Sequence, residues 1–396
     1  MVVTSDAFEP KGLLNSDNNY ILQHDDVVYL HKYVWGGVLL PTTESAYRSR
    51  LHVSNDVFAK LSGVIRPLVQ TYATTKEHCQ MFKDTTYPSI VSIASEVYNY
   101  AQNAGGSSQD SYYGKISFLP RWLQPYIFQC IRKLADVTSE EEKARLKKTI
   151  NELVDMQVRN IDEIRTKSQA VVGDLHAFHD NTKKDMSALK ERSDAVHTKL
   201  EAEVGSLQEL DSKLREYRIE LEADIAEYEH DKTVACTTPA YYWLGLIGLI
   251  SAATVAGIYG DKAAKMAARI DEVRKLISEY EQKIEDETRV VADLRAIDKH
   301  VDNILSLIEP AIQTIEKMMG IWQAIADDLR NLKDMVDTDV RKAAAVVADI
   351  VEAKVLAKWN DLKEAVDKYR KAAYVSDAGT VSLDDLSRQL HKQARN

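Results

Sequence analysis

Residues that break regular structure are scarce in this chain of 396 residues, which contains only 15 glycines and 8 prolines. No proline occurs between residues 138 and 232, and Pro310 is the only one between residues 261 and 375. A proline inside a helix costs about 3 kcal/mol and a glycine about 1 kcal/mol, so long stretches without them are typical of long helices. The scarcity predicts a chain built mainly from helices.

Cysteine and clusters of basic residues are also scarce. Cys79, Cys130 and Cys236 are too few for a disulfide framework and lack the spacing of a metal site, so we expect buried structural thiols. The 51 basic residues are outnumbered by 61 acidic ones, which gives a formal net charge of -10. Because no cluster of lysine or arginine is present, we expect no nucleic-acid partner.

Signatures of catalysis and of a secretory signal are absent as well. The sequence contains no glycine-rich phosphate loop and no nucleophile elbow. His176 and His179 lie one helical turn apart beside Asp174 and Asp180, but no third ligand is identifiable, so we interpret them as a solvated helix face. We therefore expect no enzyme activity, cofactor or metal.

The N-terminal residues lack the basic start, apolar core and cleavage site of a signal peptide.

Two long amphipathic helices are predicted by the spacing of apolar residues. The steps alternate between three and four and average about 3.5 residues, which is the period of a coiled coil. Thr138 or Ser139 is positioned to cap the first helix. Each helix has a narrow apolar seam that it cannot bury alone. The seam residues are Leu200, Val204, Leu207, Leu210, Leu214, Tyr217, Leu221, Ile225 and Tyr228 in the first helix, and Ile270, Val273, Ile277, Tyr280, Ile284, Val291, Leu294, Val301 and Ile304 or Leu305 in the second.

Other helical patterns cover residues 54–82, 87–104 and 338–373. Pro310 is expected to bend the second long helix rather than end it, because the apolar period resumes beyond it. The aromatic stretch over residues 111–128 and the side chains of Trp35 and Trp359 are expected to pack in a core. No stretch predicts a strand, so the expected fold class is all-α.

One stretch, "PAYYWLGLIGLISAATVAGIYGDK" at residues 239–262, differs from its charged surroundings. No charged residue occurs over residues 233–260, and residues 240–260 would form a helix about 31 Å long. That length is close to the hydrocarbon thickness of a bilayer, about 30 Å. Tyrosine and tryptophan at its two ends are typical of a membrane interface. We therefore expect this stretch to interact with a membrane.

Three placements of this stretch are open: a buried core helix, a single-pass anchor, or the tip of an antiparallel helical hairpin. The hairpin is favoured because the two seams then bury each other. The glycines Gly245, Gly248, Gly257 and Gly260 would act as hinges of such a tip. The residues expected to contact lipid are Tyr241, Tyr242, Trp243, Leu244, Leu246, Ile247, Leu249, Ile250, Val255 and Ile258.

An apolar stretch between two coiled-coil helices in an all-helical chain resembles the α-pore-forming toxins of the cytolysin A type. Within that type the chain looks most like the A component of the binary xenorhabdolysin (Xax/Yax) family. The resemblance implies an elongated helical bundle tail, a long antiparallel coiled-coil stalk and a hydrophobic head at its tip. We accordingly divide the chain into an irregular segment (1–50), a tail (51–170 with 305–396), a stalk (171–232 with 261–304) and a head (233–260).

The resemblance also implies a cytolytic function. In that family the A component binds the target membrane, associates with a B-type component into a ring-shaped pore and promotes insertion of that partner. The chain would be a soluble monomer before assembly, secreted without a recognisable signal peptide, and would act as a haemolytic virulence factor at the host cell membrane. Two alternatives are open: a single-component pore former, and a structural coiled-coil protein anchored in its own cell's membrane.

Overall fold

A computed structural model shows an all-α protein. It describes residues 8–23, 30, 34, 37–38, 40–51, 53–105, 112–113, 127–204, 271, 286–373, 388 and 391–392. Within these ranges the chain forms helices and no strand beyond an isolated antiparallel bridge between Leu14 and Tyr20. The predicted fold class, a helical bundle, is confirmed. The α-helices are α1 (Glu44–Leu51), α2 (Asn55–Met81), α3 (Tyr87–Gly105), α4 (Ile127–Asp136), α5 (Glu140–Val204), α6 (Asp286–Thr338), α7 (Val340–Ala348) and α8 (Glu352–Ala373).

Most helix boundaries lie where the sequence places them. The Ser54 side chain accepts a hydrogen bond from the Val57 amide and caps α2. A π-helical segment, Phe82–Thr86, connects α2 with α3, so the predicted helices over 54–82 and 87–104 are confirmed. The Ser139 hydroxyl accepts from the Glu142 amide at 3.4 Å, as predicted for the start of α5. α6 continues through Pro310, which confirms that this proline does not end the helix.

The prediction of one helix over residues 338–373 is wrong, because the chain breaks between α7 and α8. α7 begins after Asp339, whose carboxylate accepts from the Lys342 amide at 3.1 Å. At the break the Ile350 side chain is buried (4% exposed) and the Val351 side chain is exposed (64%). One continuous helix with an apolar stripe through Val351 would have buried Val351 instead. A hydrogen bond from the Ile350 amide to the Val347 carbonyl oxygen closes α7. The Ile350 side chain is thus buried at the point where the helix is interrupted.

Two sets of segments form compact units. The first unit contains the described residues within 1–24, 88–173 and 312–371, and the second contains those within 25–87, 174–311 and 372–396. Each unit therefore combines residues that are distant in the sequence.

The core of the first unit is aromatic. Trp322 and Trp359 are fully buried, and the Tyr100 ring lies with its centroid 5.0 Å from the first and 5.2 Å from the second. The Trp359 indole nitrogen donates to the Phe8 carbonyl oxygen at 2.7 Å. Such rings each bury a large apolar area and gain further from tilted contacts. They hold the N-terminal residues against α8.

The aromatic residues predicted to pack do so wherever the structure describes them. Tyr112, Tyr113 and Phe128 are buried, and Tyr113 stacks on Phe128 with ring centroids 5.4 Å apart. The prediction for Trp359 is confirmed, whereas Trp35 lies outside the described residues. The stretch from residue 111 to 128 is thus, in its described part, a packing element of the first unit.

Residues 8–23 are tied to the C-terminal helices of the first unit. Glu9 is buried and its carboxylate pairs with the Lys358 ammonium group. The Tyr20 hydroxyl donates to the sulfur of Met318 at 3.3 Å, and burial raises the pKa of this phenol. The N-terminal segment is therefore an integral part of this core.

Candidate membrane-binding site

The residues predicted to contact lipid lie outside the described part of the chain, as do the predicted hinge glycines. Within the described ranges, no helix combines the length and the apolar character needed to cross a membrane. The residues concerned are Tyr241, Tyr242, Trp243, Leu244, Gly245, Leu246, Ile247, Gly248, Leu249, Ile250, Val255, Gly257, Ile258 and Gly260. The structure does describe the two helices, α5 and α6, that precede and follow this stretch in the sequence.

The part of α5 that belongs to the second unit has one buried face. The buried positions follow one another in steps of three and four, the spacing of a single helix face. Leu200 and Leu294, which the sequence assigns to the two seams, are both fully buried. The buried face consists of Leu175, Phe178, Thr182, Asp185, Leu189, Ser193, Val196 and Leu200.

Three of these eight buried positions are polar. The hydroxyl groups of Thr182 and Ser193 have no hydrogen-bond partner among the described residues. A buried polar group without a partner costs about 1–3 kcal/mol relative to a satisfied one. This face of α5 is therefore held less strongly than an all-apolar face of the same length would be.

The third polar position, Asp185, forms a buried link to α2. Its carboxylate accepts a hydrogen bond from the ring nitrogen Nδ1 of His78 at 2.8 Å, and the Asp185 side chain is only 5% exposed. Burial raises the pKa of Asp185 above its ordinary value, and the hydrogen bond from His78 opposes that rise. The pair joins α2 to α5 through one acid and one imidazole.

The next residue of α2, Cys79, packs closely against Gly37. A Cβ atom added to Gly37 would overlap the Cys79 sulfur, so only glycine permits this close approach. Burial, followed by the charge of Asp185, raises the pKa of the Cys79 thiol. The prediction of buried thiols is confirmed for Cys79 and Cys130, while Cys236 lies outside the described residues.

The substitution Asp185→Asn is expected to change how stability depends on pH. Because the pKa of Asp185 is raised on folding, its stabilising contribution is complete below the unfolded pKa, about 3.9, and is lost as pH rises through the folded pKa. Asparagine does not titrate, so the thermal midpoint of the variant should gain on that of the wild type as pH rises above about 4. Asp194→Asn, at an exposed position of α5, is the control, and parallel profiles for wild type and Asp185→Asn would contradict the prediction.

The histidine pair considered as a metal site shows no built site. His176 is exposed, and His179 contacts only the adjacent Asp180 carboxylate, at 3.4 Å, among the hydrogen bonds of the described chain. Within the described residues no group of three or more potential ligands comes together. The arrangement is that of a solvated helix face.

The pair His78 and Asp185 was not identified from the sequence. The two residues are 107 positions apart, and neither belongs to a motif with recognisable spacing. A signal was nevertheless present, because extending the apolar seam back from Leu200 in steps of three and four places Asp185 at a buried position.

Comparisons with known proteins find similarity to toxins. Residues 49–224 match the family model of the Bacillus haemolytic enterotoxin, HBL. The pesticidal crystal protein Cry6Ba of Bacillus thuringiensis is 20% identical over 380 residues, which cover 92% of this chain and 91% of that protein.

Two solved structures share the fold. The HblL1 toxin component of Bacillus cereus matches with a TM-score of 0.57 at 11% identity, covering 96% of this chain and 99% of that chain. SmhA, from the tripartite α-pore-forming toxin Smh of Serratia marcescens, matches with a TM-score of 0.52 at 10% identity, covering 94% and 97%. At these identities the two structures show the fold that this chain shares with the two toxin components. The families concerned are toxins and not enzymes, and the narrower resemblance to xenorhabdolysin stays a prediction.

Proposed function

We propose that this chain is a component of a cytolytic pore-forming toxin that binds target membranes through residues 233–260. The observation that carries the proposal is an uncharged stretch of membrane-spanning length in a chain with the fold of HblL1. The match of residues 49–224 to the HBL family supports the same function. The head and stalk boundaries given above are part of this proposal.

Transfer of apolar surface from water to lipid would drive attachment, at roughly 25 cal/mol per Å². Inside the bilayer every backbone polar group must be paired internally, which a helix achieves. The buried hydroxyls of Thr182 and Ser193 have no hydrogen-bond partner within the part of the chain that the structure describes. They support a change of packing in the second unit, because separating such a face costs less than separating an all-apolar one. Membrane attachment would then involve residues 233–260, and the change of packing would involve α5, the helix that precedes them in the sequence.

The finer proposal is that the chain acts with a second component. SmhA is one chain of a tripartite toxin, which supports assembly from different chains here as well. We propose the accessory role: this chain binds lipid and promotes insertion of a B-type partner into a ring-shaped pore. Side-by-side assembly would make weak individual attachments effectively permanent through avidity.

The similarity to Cry6Ba of Bacillus thuringiensis bears on which cells the toxin attacks. Its name describes a pesticidal protein, and the similarity covers 92% of this chain. We therefore propose that the chain leaves the producing cell and acts on invertebrate as well as mammalian membranes. Insect cells and erythrocytes are the two targets on which lysis is to be measured.

Purified chain alone is expected to lyse erythrocytes and insect cells at the background rate. Addition of the proposed B-type component should raise lysis at least about tenfold, because pore formation requires both components under this proposal. The assay measures haemoglobin or dye release, and each protein is also tested alone. Lysis by this chain alone at the same concentration would replace the accessory role with a single-component pore. A chain that purifies only in detergent and lyses neither target would favour the anchored structural protein.

A further inference from the structure

A polar cleft lies between α3 and α5 in the first unit. Its volume is about 130 Å³, and seven residues from the two helices line it. At about 30 Å³ per molecule of liquid water, this cleft holds about four water molecules. It is smaller than the usual site for a drug-sized molecule, which begins at about 300 Å³. A small ligand would therefore enter it in part and face solvent with the remainder.

The surface that the cleft offers to a ligand is mainly polar. Tyr100 and Ile164 form part of the lining but are buried. Asn99 and Glu163 also line the cleft and are exposed to solvent. Such a lining suits an uncharged ligand with several hydroxyl groups.

Two amide side chains in the lining are held in place by one phenol. The Asn160 amide donates to the Tyr112 hydroxyl at 2.9 Å, and the Asn103 amide donates to the same oxygen at 3.4 Å. Tyr112 is itself fixed, since its backbone amide donates to the Asn103 carbonyl oxygen at 2.8 Å. Side chains fixed in this way lose little entropy when a ligand binds.

The charges of the cleft select against ionic ligands. No lysine, arginine or histidine is among the residues that line it, which disfavours a phosphate or carboxylate. Glu96 is paired with Lys167, so a cation would compete with an ammonium group already present. Glu163 is exposed, and its attraction for a cation is weakened by solvent and salt.

We propose that this cleft binds one uncharged sugar residue of a glycan. Carboxylate and amide oxygens accept hydrogen bonds from sugar hydroxyls, while amide N–H groups donate to them. The sugar can belong to a glycolipid or to a glycoprotein, since both present the same chemistry. The site lies in the first unit and stands independently of the proposed lipid contacts.

The test uses the purified full chain and methyl glycosides of glucose, galactose, mannose and N-acetylglucosamine. Saturation-transfer NMR is expected to show binding of at least one of them, with a Kd on the order of 1 mM. Glu163→Gln is expected to weaken that binding roughly tenfold, because it removes a charged acceptor. Asn160→Ala is expected to weaken it as well. Vesicles carrying the glycolipid and a soluble glycopeptide with the same sugar then distinguish the two sources.

Glu152→Gln is the matched control, because Glu152 lies on α5, is 68% exposed and does not line the cleft. This control should bind the sugar as the wild type does, and thermal melting of all variants checks that they are folded. Binding of none of the four glycosides overturns the proposal. Equal binding by wild type and folded Glu163→Gln overturns it too, as does binding of Ca²⁺ or a phosphate ester without sugar.

Discussion

Replacing both Leu246 and Ile250 with aspartate is expected to abolish binding of this protein to lipid vesicles. Each aspartate at the centre of an inserted helix costs about 3 kcal/mol, so the pair costs about 6 kcal/mol. This corresponds to more than a thousandfold loss of partitioning, since each 1.4 kcal/mol is tenfold. Flotation with vesicles measures the loss directly, and lysis with the partner component should fall in parallel.

The matched control places two aspartates on exposed apolar residues elsewhere, Met81 (54% exposed) and Val351 (64% exposed). The double variant Met81→Asp and Val351→Asp has the same change in charge but leaves residues 233–260 intact. It should float with vesicles as the wild type does. If the Leu246→Asp and Ile250→Asp protein floats equally well, the proposed membrane site is refuted.

Truncation of Trp359 to alanine is expected to be the most destabilising single change in the first unit. Trp359 is fully buried, packs against Tyr100 and Trp322, and donates to the Phe8 carbonyl oxygen. Loss of a buried tryptophan costs about 3–5 kcal/mol, which lowers the thermal midpoint by roughly 6–20 °C for a unit of this size. Calorimetry and urea unfolding followed by circular dichroism measure this change.

A pair of phenylalanine variants separates the hydrogen bond from the packing. Trp359→Phe removes ring volume and the bond to Phe8, whereas Trp322→Phe removes ring volume only. The Trp322 indole nitrogen has no hydrogen-bond partner among the described residues. The first variant should therefore be less stable than the second by about 1 kcal/mol. Equal destabilisation would show that the contact between Trp359 and residue 8 contributes nothing.

The helical part of the fold follows from local features of the sequence. Ser54 and Ser139 cap helices, stretches without proline form α5 and α6, and the apolar period places Leu200 and Leu294 in buried positions. These features act over one or two helical turns, and a periodic pattern records them directly. Fold class was therefore predictable.

Features that depend on contacts between distant residues were not predictable in the same way. The break between α7 and α8 contains neither proline nor glycine and coincides with the burial of Ile350. The hydrogen bond between His78 and Asp185 joins two helices across 107 positions. Periodicity within one helix contains no information about which partner a polar seam residue meets.

Of the two candidate binding sites, one was predictable from the sequence and the other was not. The uncharged stretch over residues 233–260 is recognisable because its composition alone distinguishes it from its surroundings. The cleft that includes Asn103 and Asn160 escaped detection, since its residues are ordinary polar positions on two helices. They become a site only when Tyr112 fixes both amides.

The attachment of residues 8–23 to the C-terminal helices has a consequence for biosynthesis. The bond between Trp359 and Phe8 spans 351 positions, so the first unit cannot close until the ribosome has made α8. Until then the apolar side chains of residues 8–23 lack their final partners. Transiently exposed apolar surface of this kind promotes aggregation, so we expect the nascent chain to be most prone to aggregate before α8 is synthesised.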